Sequence, residues 1–398
     1  MRYCRNCLYP DNAKPTIIFD DDGVCSGCRY NESRGHGDVD WVEREQMFQD
    51  IVEEARELAR ERGNSHDCIV PVSGGKDSHF QVWLLKEKYG LNPLLVTFNH
   101  GFNSPAGNRN LRNLIEKSGC DHVRYTAGMD SVRRISRYML EKVGDLTWHY
   151  HAGIRTLPFK VAVEKNIPLI VWGEHGFAEL TGLVSLKDFA EFTKWTRKEH
   201  DMRGFEAHDL VGHNGITEQD IEPYIYPTDE QLEETEVRGI YLSNFFDWNA
   251  MEHAELMRET WGFGYVTYER ERSFNLHGKI EDHANDIHDY LKFLKFGYGR
   301  ATDDASMELR HRRMSRRDAI AMVRRYDPAE PSTLLFYCDF LGISVREFYD
   351  LVAPMRDANA WQEVDGEWLL RDPVWEQEAH SEIGELDGNC ATFSEQNR

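Results

Sequence analysis

Apolar residues along this chain of 398 residues fall into two kinds of run. Short apolar runs predict a buried strand at 68–72 and further strands at 94–98, 122–125 and 169–172. Between them, apolar positions at helical spacing predict helices over 79–89, 108–117, 131–142 and 152–165. An earlier helix begins at Asp40, with Glu43 three residues on as a capping box. Its buried face is read from Met47, Phe48, Ile51, Val52, Ala55, Leu58 and Ala59, and Gly63-Asn64 ends it. Strand–helix alternation at this spacing implies right-handed crossovers, hence a doubly wound, mainly parallel α/β sheet. Residues 239–242 predict one more strand.

The rhythm breaks over 176–237, which is polar, aromatic and irregular, with Phe177, Phe189, Phe192, Trp195 and Phe205. This stretch reads as an insertion over the active edge of the sheet, or equally as a helical decoration. The expected plan is a cysteine-closed unit at 1–35, an α/β domain at 36–247, a mainly helical region at 248–375 and a disordered acidic tail at 376–398. Asp20-Asp21-Asp22-Gly23 reads as a hairpin turn within the first unit.

Charge narrows the function. The chain has 47 Lys+Arg against 69 Asp+Glu, a net of -22. That balance argues against a general nucleic-acid binder, which needs a basic face to neutralise phosphates. No apolar run approaches the ~20 residues that span a bilayer, and the start, MRYCRNCLYP, is not of signal-peptide type. A cytoplasmic location is expected.

Four of the eight cysteines stand as two CxxC pairs, Cys4/Cys7 and Cys25/Cys28, with seventeen residues between the pairs. Two such knuckles suit Zn²⁺ held by four thiolates. The site is closed, so its role is structural. A unit this small buries little core, and the metal supplies most of its folding free energy.

The stretch from Ile69 to His79 carries the chemistry: Ser73-Gly74-Gly75-Lys76-Asp77-Ser78 lies between a predicted strand and a predicted helix. A glycine-rich turn there exposes successive N–H groups at the positive end of a helix, an anion cradle. Ser73 and Ser78 offer hydroxyls and Lys76 a cation. Asp77 beside a phosphate calls for Mg²⁺. Val70 and Asp77 stand where a Walker A loop needs Gly and Ser or Thr, so the loop is of another type.

The Ser73–Ser78 run resembles the SGGxDS loop of the N-type ATP pyrophosphatases, which share the adenine-nucleotide α-hydrolase fold. The wider sequence resembles the N-acetyl sugar amidotransferases. The resemblance rests on residues 3–7, 67–78, 92–99 and 168–174 and, most specifically, on 288–303, HDYLKFLKFGYGRATD. It implies ATP cleavage between the α- and β-phosphates, adenylation of a sugar acetamido oxygen, and its replacement by ammonia to give an acetamidino sugar for bacterial surface glycans. The ammonia would come from a separate glutaminase subunit, and the substrate would be an anionic sugar nucleotide.

On this reading residues 73–78 grip pyrophosphate, with Asp77 on Mg²⁺. Thr97 and Asn99 meet adenine and ribose, and Glu174 contacts metal or substrate, or caps a helix. Lys292, Lys295 and Arg300 hold anionic groups or form an exposed basic helix face. Arg310, Arg312, Arg313, Arg316 and Arg317 read as solvated, His149 and His151 as structural, and His283 and His288 as surface residues. No N-terminal cysteine nucleophile is present, since position 2 is Arg. A tRNA-thiolating enzyme of the same superfamily and a non-catalytic ATP-binding protein remain as alternatives.

Overall fold

The computed structural model describes residues 1–35 and 38–377. Its centre is a five-stranded sheet in the order β3-β2-β1-β4-β5. The strands are β1 (Cys68–Pro71), β2 (Pro93–Asn99), β3 (His122–Thr126), β4 (Leu169–Trp172) and β5 (Arg238–Tyr241), every pair parallel. The apolar runs therefore mark all five strands, within a residue or so at each end.

Alternate residues of these strands enter opposite cores, as the pleat dictates. Ile69, Leu94, Val96 and Ile170 pack on one face with α5 (Met129–Val143) and α6 (Trp148–Lys165). Cys68, Val70, Leu95 and Val171 pack on the other, with α2 (Trp41–Glu61), α3 (Lys76–Trp83) and α4 (Pro105–Ser118). Asp40 does cap α2, accepting from Val42 and Glu43 N–H, although Glu43 does not complete a capping box. Gly119, in a left-handed conformation, ends α4 as its position implies.

The stretch between β4 and β5 differs from a loose cover. After α7 (Gly176–Thr181) it sends Phe192, Met202, Leu210, Ile221 and Tyr224 into the core beside α6. Trp148 Nε1 donates to the Met202 carbonyl at 3.0 Å. Of the aromatics read as irregular, Phe192 is core, Phe205 packs half-buried against the same core and Phe189 against the one on the other face of the sheet, and Trp195 is exposed.

The C-terminal region is helical: α8 (Ala250–Trp261), α9 (Ala284–Phe296), α10 (Arg300–Arg310), α11 (Arg316–Tyr326), α12 (Leu334–Leu341) and α13 (Val345–Val352). It closes with an antiparallel hairpin, Trp361–Val364 against Glu367–Leu370, that the apolar pattern does not announce. The N-terminal unit, ending in α1 (Ser26–Gly35), packs on α10, where Leu8 N–H donates to Ser306 Oγ at 3.2 Å. Of the tail expected to be disordered, Glu376 and Gln377 sit in a helical turn, and 378–398 lie outside the described residues. No helix among the described residues is long and apolar enough to cross a membrane.

Candidate active cleft

The strand order reverses at β1, whose neighbours are β2 and β4. Open α/β sheets bind ligands in the crevice beyond such a point. The 73–78 loop leaves β1 there, and Glu174 leaves β4 on the other side. Gly74 has φ +88°, and a Cβ on it would meet the Leu111 backbone nitrogen of α4 at 2.7 Å, so only glycine fits. Ser78 Oγ accepts from Ser73 N–H at 3.0 Å and Ser73 Oγ from Gly75 N–H at 3.2 Å. These hydroxyls fix the loop's shape. Gly75 caps α3 with no side chain, leaving the first-turn N–H groups facing the cleft.

Lys76 Nζ lies 2.5 Å from Asp77 Oδ2. Burial works against both charges, but each stabilises the other: Lys76 is held above its ordinary pKa by Asp77 and Glu174, and Asp77 below its own by Lys76. Asp77 Oδ1 is buried without a hydrogen-bond partner. Glu174 opens to the cleft, and its carboxyl is raised by desolvation and by the charge of Asp77. An orphaned carboxylate oxygen beside a second acid fits a hard divalent cation.

The opposite wall comes from the C-terminal region, and sequence reasoning missed most of it. Glu281 Oε1 accepts from Ser73 Oγ at 3.4 Å, while its carbonyl accepts from Ser104 N–H at 3.0 Å. A Cβ on Gly107 would lie 2.1 Å from that carbonyl, so α4 is clamped onto this segment. Lys279, His277, Asp304 and Arg313 complete the wall. Buried His277 is held neutral, its pKa pushed down to about 3 by desolvation and then by Lys76. The acids Asp77, Glu174, Glu179, Glu281, Asp303, Asp304 and Glu308 outnumber the bases Lys76, Lys279, Arg300 and Arg313 in the lining, so polyphosphate binding there calls for cations. Residues 262–283 form a segment without regular secondary structure. No periodicity marks its contribution, and only the resemblance at 288–303 pointed toward this part of the chain.

The predicted residues divide. Gly75, Lys76, Asp77, Glu174 and Arg300 line one cleft. Arg300 is already paired, with Asp289 at 2.9 Å and Asp303 at 3.4 Å, and Lys292 holds Asp303 at 2.6 Å. These cations shape the wall. Thr97 is buried in the sheet, donating to the Val72 carbonyl at 2.7 Å. Asn99 bonds Thr126 at the strand end, and Lys295 donates to the Val143 carbonyl of α5. None of these three lines the cleft. His288, read as a surface residue, is half-buried, its Nδ1 2.8 Å from Thr147 Oγ1.

The four N-terminal cysteines come together as their spacing implies. They are buried, and their sulfurs all lie within 4.8 Å of one another. Cys4–Cys28 and Cys7–Cys25 are 3.8 and 3.6 Å apart, close to the ~3.8 Å edge of a tetrahedron with ~2.3 Å zinc–sulfur bonds. The N–H groups of Cys7 and Cys25 donate to Cys4 Sγ. The donor set fits a tetrahedral metal. Two of the arginines read as solvated serve this unit. Arg310 is buried, 3.6 Å from Cys25 Sγ, and donates to the Glu179 and Leu180 carbonyls at 2.8 Å. Arg316 donates to the Cys7 carbonyl at 2.6 Å.

Among known proteins, an uncharacterised protein of Methanocaldococcus jannaschii is 26% identical over 159 residues, 36% of this chain and 54% of that one. The chain thus spans about half the length of the curated relative it matches. NMN synthetase of Francisella tularensis aligns with 56% of this chain and 87% of its own at 11% identity and TM-score 0.28. NH3-dependent NAD synthetase of Campylobacter jejuni aligns with 58% and 100% at 14% identity and TM-score 0.27. The U34-tRNA thiolase NcsA of Methanococcus maripaludis aligns with 65% and 82% at 14% identity and TM-score 0.24. At those scores the fold rests on this chain's own strand order and loop. Residues 264–372, which carry Lys279, Glu281, Arg300 and most of the acids opposite the loop, match the family described as LPS biosynthesis protein WbpG-like, C-terminal domain.

Proposed function

We propose that this protein is an ATP-dependent, AMP- and pyrophosphate-forming amidotransferase, the synthetase subunit that converts a sugar acetamido group to an acetamidino group in surface-glycan biosynthesis. The observation that carries this reading is the 73–78 loop at the sheet's switch point, facing a wall supplied by a domain of an LPS-biosynthesis family.

An amide carbon is too poor an electrophile for ammonia until its oxygen becomes a leaving group. Attack of that oxygen on the α-phosphate expels pyrophosphate. Ammonia then adds to the activated carbon and AMP departs. The protein's task is to position reactants and balance charge. The α3 N–H groups and Lys76 take the leaving pyrophosphate. Asp77, with Glu174 beside it, would hold a magnesium ion, which neutralises phosphate charge when bound.

Ammonia delivery falls to a glutaminase partner. Of the cysteines outside the N-terminal unit, Cys68, Cys120 and Cys338 are buried with thiols raised by desolvation, and Cys390 lies outside the described residues. No described cysteine lines the cleft, which weighs against tRNA thiolation, as does the acid excess. A cytoplasmic setting and zinc in the N-terminal unit belong to the same reading.

The test is mass spectrometry of a diacetamido uronic acid sugar nucleotide incubated with the protein, Mg-ATP and ammonium. Exchange of one amide oxygen for an imino group, with matching AMP and pyrophosphate, is expected. An unchanged sugar, with AMP released only when bulk tRNA is added, would overturn the proposal in favour of RNA modification.

A further inference from the structure

A second polar cluster lies beside the cleft, and the phosphate chemistry does not use it. Asp145, buried at the end of α5, accepts from Arg203 Nε at 3.1 Å and from Thr147 Oγ1 at 2.7 Å. Thr147 in turn meets His288 Nδ1 at 2.8 Å, and the His288 ring sits 5.3 Å from that of His151. Lys295 packs against Gly144 and reaches the Val143 carbonyl at 3.2 Å. It makes no ion pair among the described residues, the Asp145 carboxylate acting on it only at longer range.

Three features mark this cluster as built for a ligand. Arg203 takes a left-handed backbone, φ +56°, a strain that side chains avoid unless something is gained. His151 Nδ1 is buried with no hydrogen-bond partner. Arg203 is paired with Asp145 while Lys295 makes no ion pair among the described residues, leaving a positive excess in a chain whose net charge is -22. Burial holds both imidazoles neutral. With the Thr147 hydroxyl given to Asp145, the one N–H of His288 goes to Thr147, so His288 positions the cluster and His151 is the imidazole left to donate.

The cluster adjoins the cleft through α9. His288 and Lys295, seven residues apart, share one face of that helix. Asp289 and Lys292 turn the neighbouring face to Arg300 and Asp303. Lys279, in the cleft wall, acts electrostatically on both Glu174 and His151.

We infer that Lys295, Arg203 and His151, with His288 positioning them through Thr147, form a subsite for an anionic oxygen group of the second substrate, distinct from the ATP phosphates. The inference rests on the proposed reaction only in naming that substrate a nucleotide sugar. The anion is the sugar carboxylate or the carrier diphosphate.

The test is binding, which needs no turnover. UDP-glucuronate, UDP and free glucuronate are titrated into the full chain by calorimetry, with Mg-ATP binding measured on the same protein. Lys295→Gln keeps a donor for the Val143 carbonyl and removes the charge. Arg203→Gln removes the other cation from a different segment. Each variant is expected to weaken UDP-glucuronate at least tenfold while leaving Mg-ATP binding intact. A matching loss for UDP assigns the diphosphate, and a matching loss for glucuronate alone assigns the carboxylate. Wild-type affinity in both variants, or no binding of any of the three anions by the wild type, overturns the subsite. Amidine formation is read separately. Its failure alongside Lys295-dependent binding removes the proposed reaction and leaves the subsite standing.

Discussion

The two halves that meet at the cleft bind by different means. The α/β half offers backbone: the 73–78 loop presents N–H groups whose direction is set by glycine conformation and by two serine hydroxyls. The C-terminal half offers side chains in compensated pairs, Arg300 with Asp289 and Lys292 with Asp303. A loop of this kind is damaged by adding one carbon. A wall of paired charges is damaged by removing a partner, which leaves a buried charge uncompensated. Cations in such a wall are poor candidates for gripping phosphate, because their carboxylates already occupy them.

The largest effect on turnover tests the backbone side. Gly74→Ala places a Cβ 2.7 Å from the Leu111 nitrogen at φ +88°, so loop or helix must move. Misplacing the donors is expected to lower AMP formation by about 10²–10³-fold, roughly 3–4 kcal/mol of transition-state stabilisation. Circular dichroism should remain native, since the change is local. Near-normal AMP formation would mean that the loop's N–H groups do not carry the phosphate.

Next comes the strut between the cysteine cluster and the cleft. Arg310 ties the cysteine sulfurs to the carbonyls of Glu179 and Leu180, both in the cleft lining. Arg310→Met leaves two buried carbonyls and the thiolate cluster without their cation, at an expected cost of about 3–5 kcal/mol. Urea unfolding followed with metal content checks it, and chelation of the metal should lower the midpoint in the wild type as well. A variant that keeps both its metal and its midpoint would show the N-terminal unit to be independent of the cleft.

This contrast also governs what was legible in the sequence. The three central strands, β2, β1 and β4, announced themselves because each is an apolar run buried on both faces, whereas the edge strand β3, His122–Thr126, is only half-buried and was legible from the strand–helix rhythm around it. The phosphate loop and the cysteine knuckles were legible because their chemistry lies within a few adjacent residues. Glu281 and Lys279 were not, because their segment has no period and acquires meaning only when Ser104 and Gly107 clamp it to α4. Arg310 was misread as solvated for a related reason: an arginine-rich helix end looks the same in sequence whether water or thiolates face it. Thr97 shows the converse, a polar residue near a motif that tertiary structure directs into the sheet.

The clamp itself carries a titratable pair. Burial pushes Asp282 up to about 7, helped by Glu281, and His100 down to about 4, with 3.6 Å between them. Between pH ~4 and ~7 the folded protein keeps a proton on Asp282 that the unfolded chain has lost. Stability from this group therefore falls as pH rises through that window and levels off above it. His100 acts in the opposite sense, its neutral form losing stability as pH falls from ~6.5 toward ~4. Asp282→Asn mimics the protonated acid and keeps an acceptor for Asn285 N–H. Its gain over wild type should grow by ~3 kcal/mol between pH 5 and 8. Urea midpoints of both proteins at pH 5 and 8 measure it. A difference that does not depend on pH would mean that Asp282 is already ionised.

The smallest effect falls where the N-terminal unit touches the wall. Tyr9 donates to Asp303 Oδ1 at 2.8 Å, while Lys292 and Arg300 hold the same carboxylate. Tyr9→Phe keeps the ring's edge contact with Tyr298 and its place under the Arg310 guanidinium. The carboxylate retains two cations, so only one neutral donor is lost, worth ~1 kcal/mol. The expected result is a melting point lower by a few degrees, with metal content unchanged. A much larger loss would mean that Tyr9, rather than the two cations, sets the position of Asp303. The wall would then depend on the N-terminal unit for its geometry as well as its support.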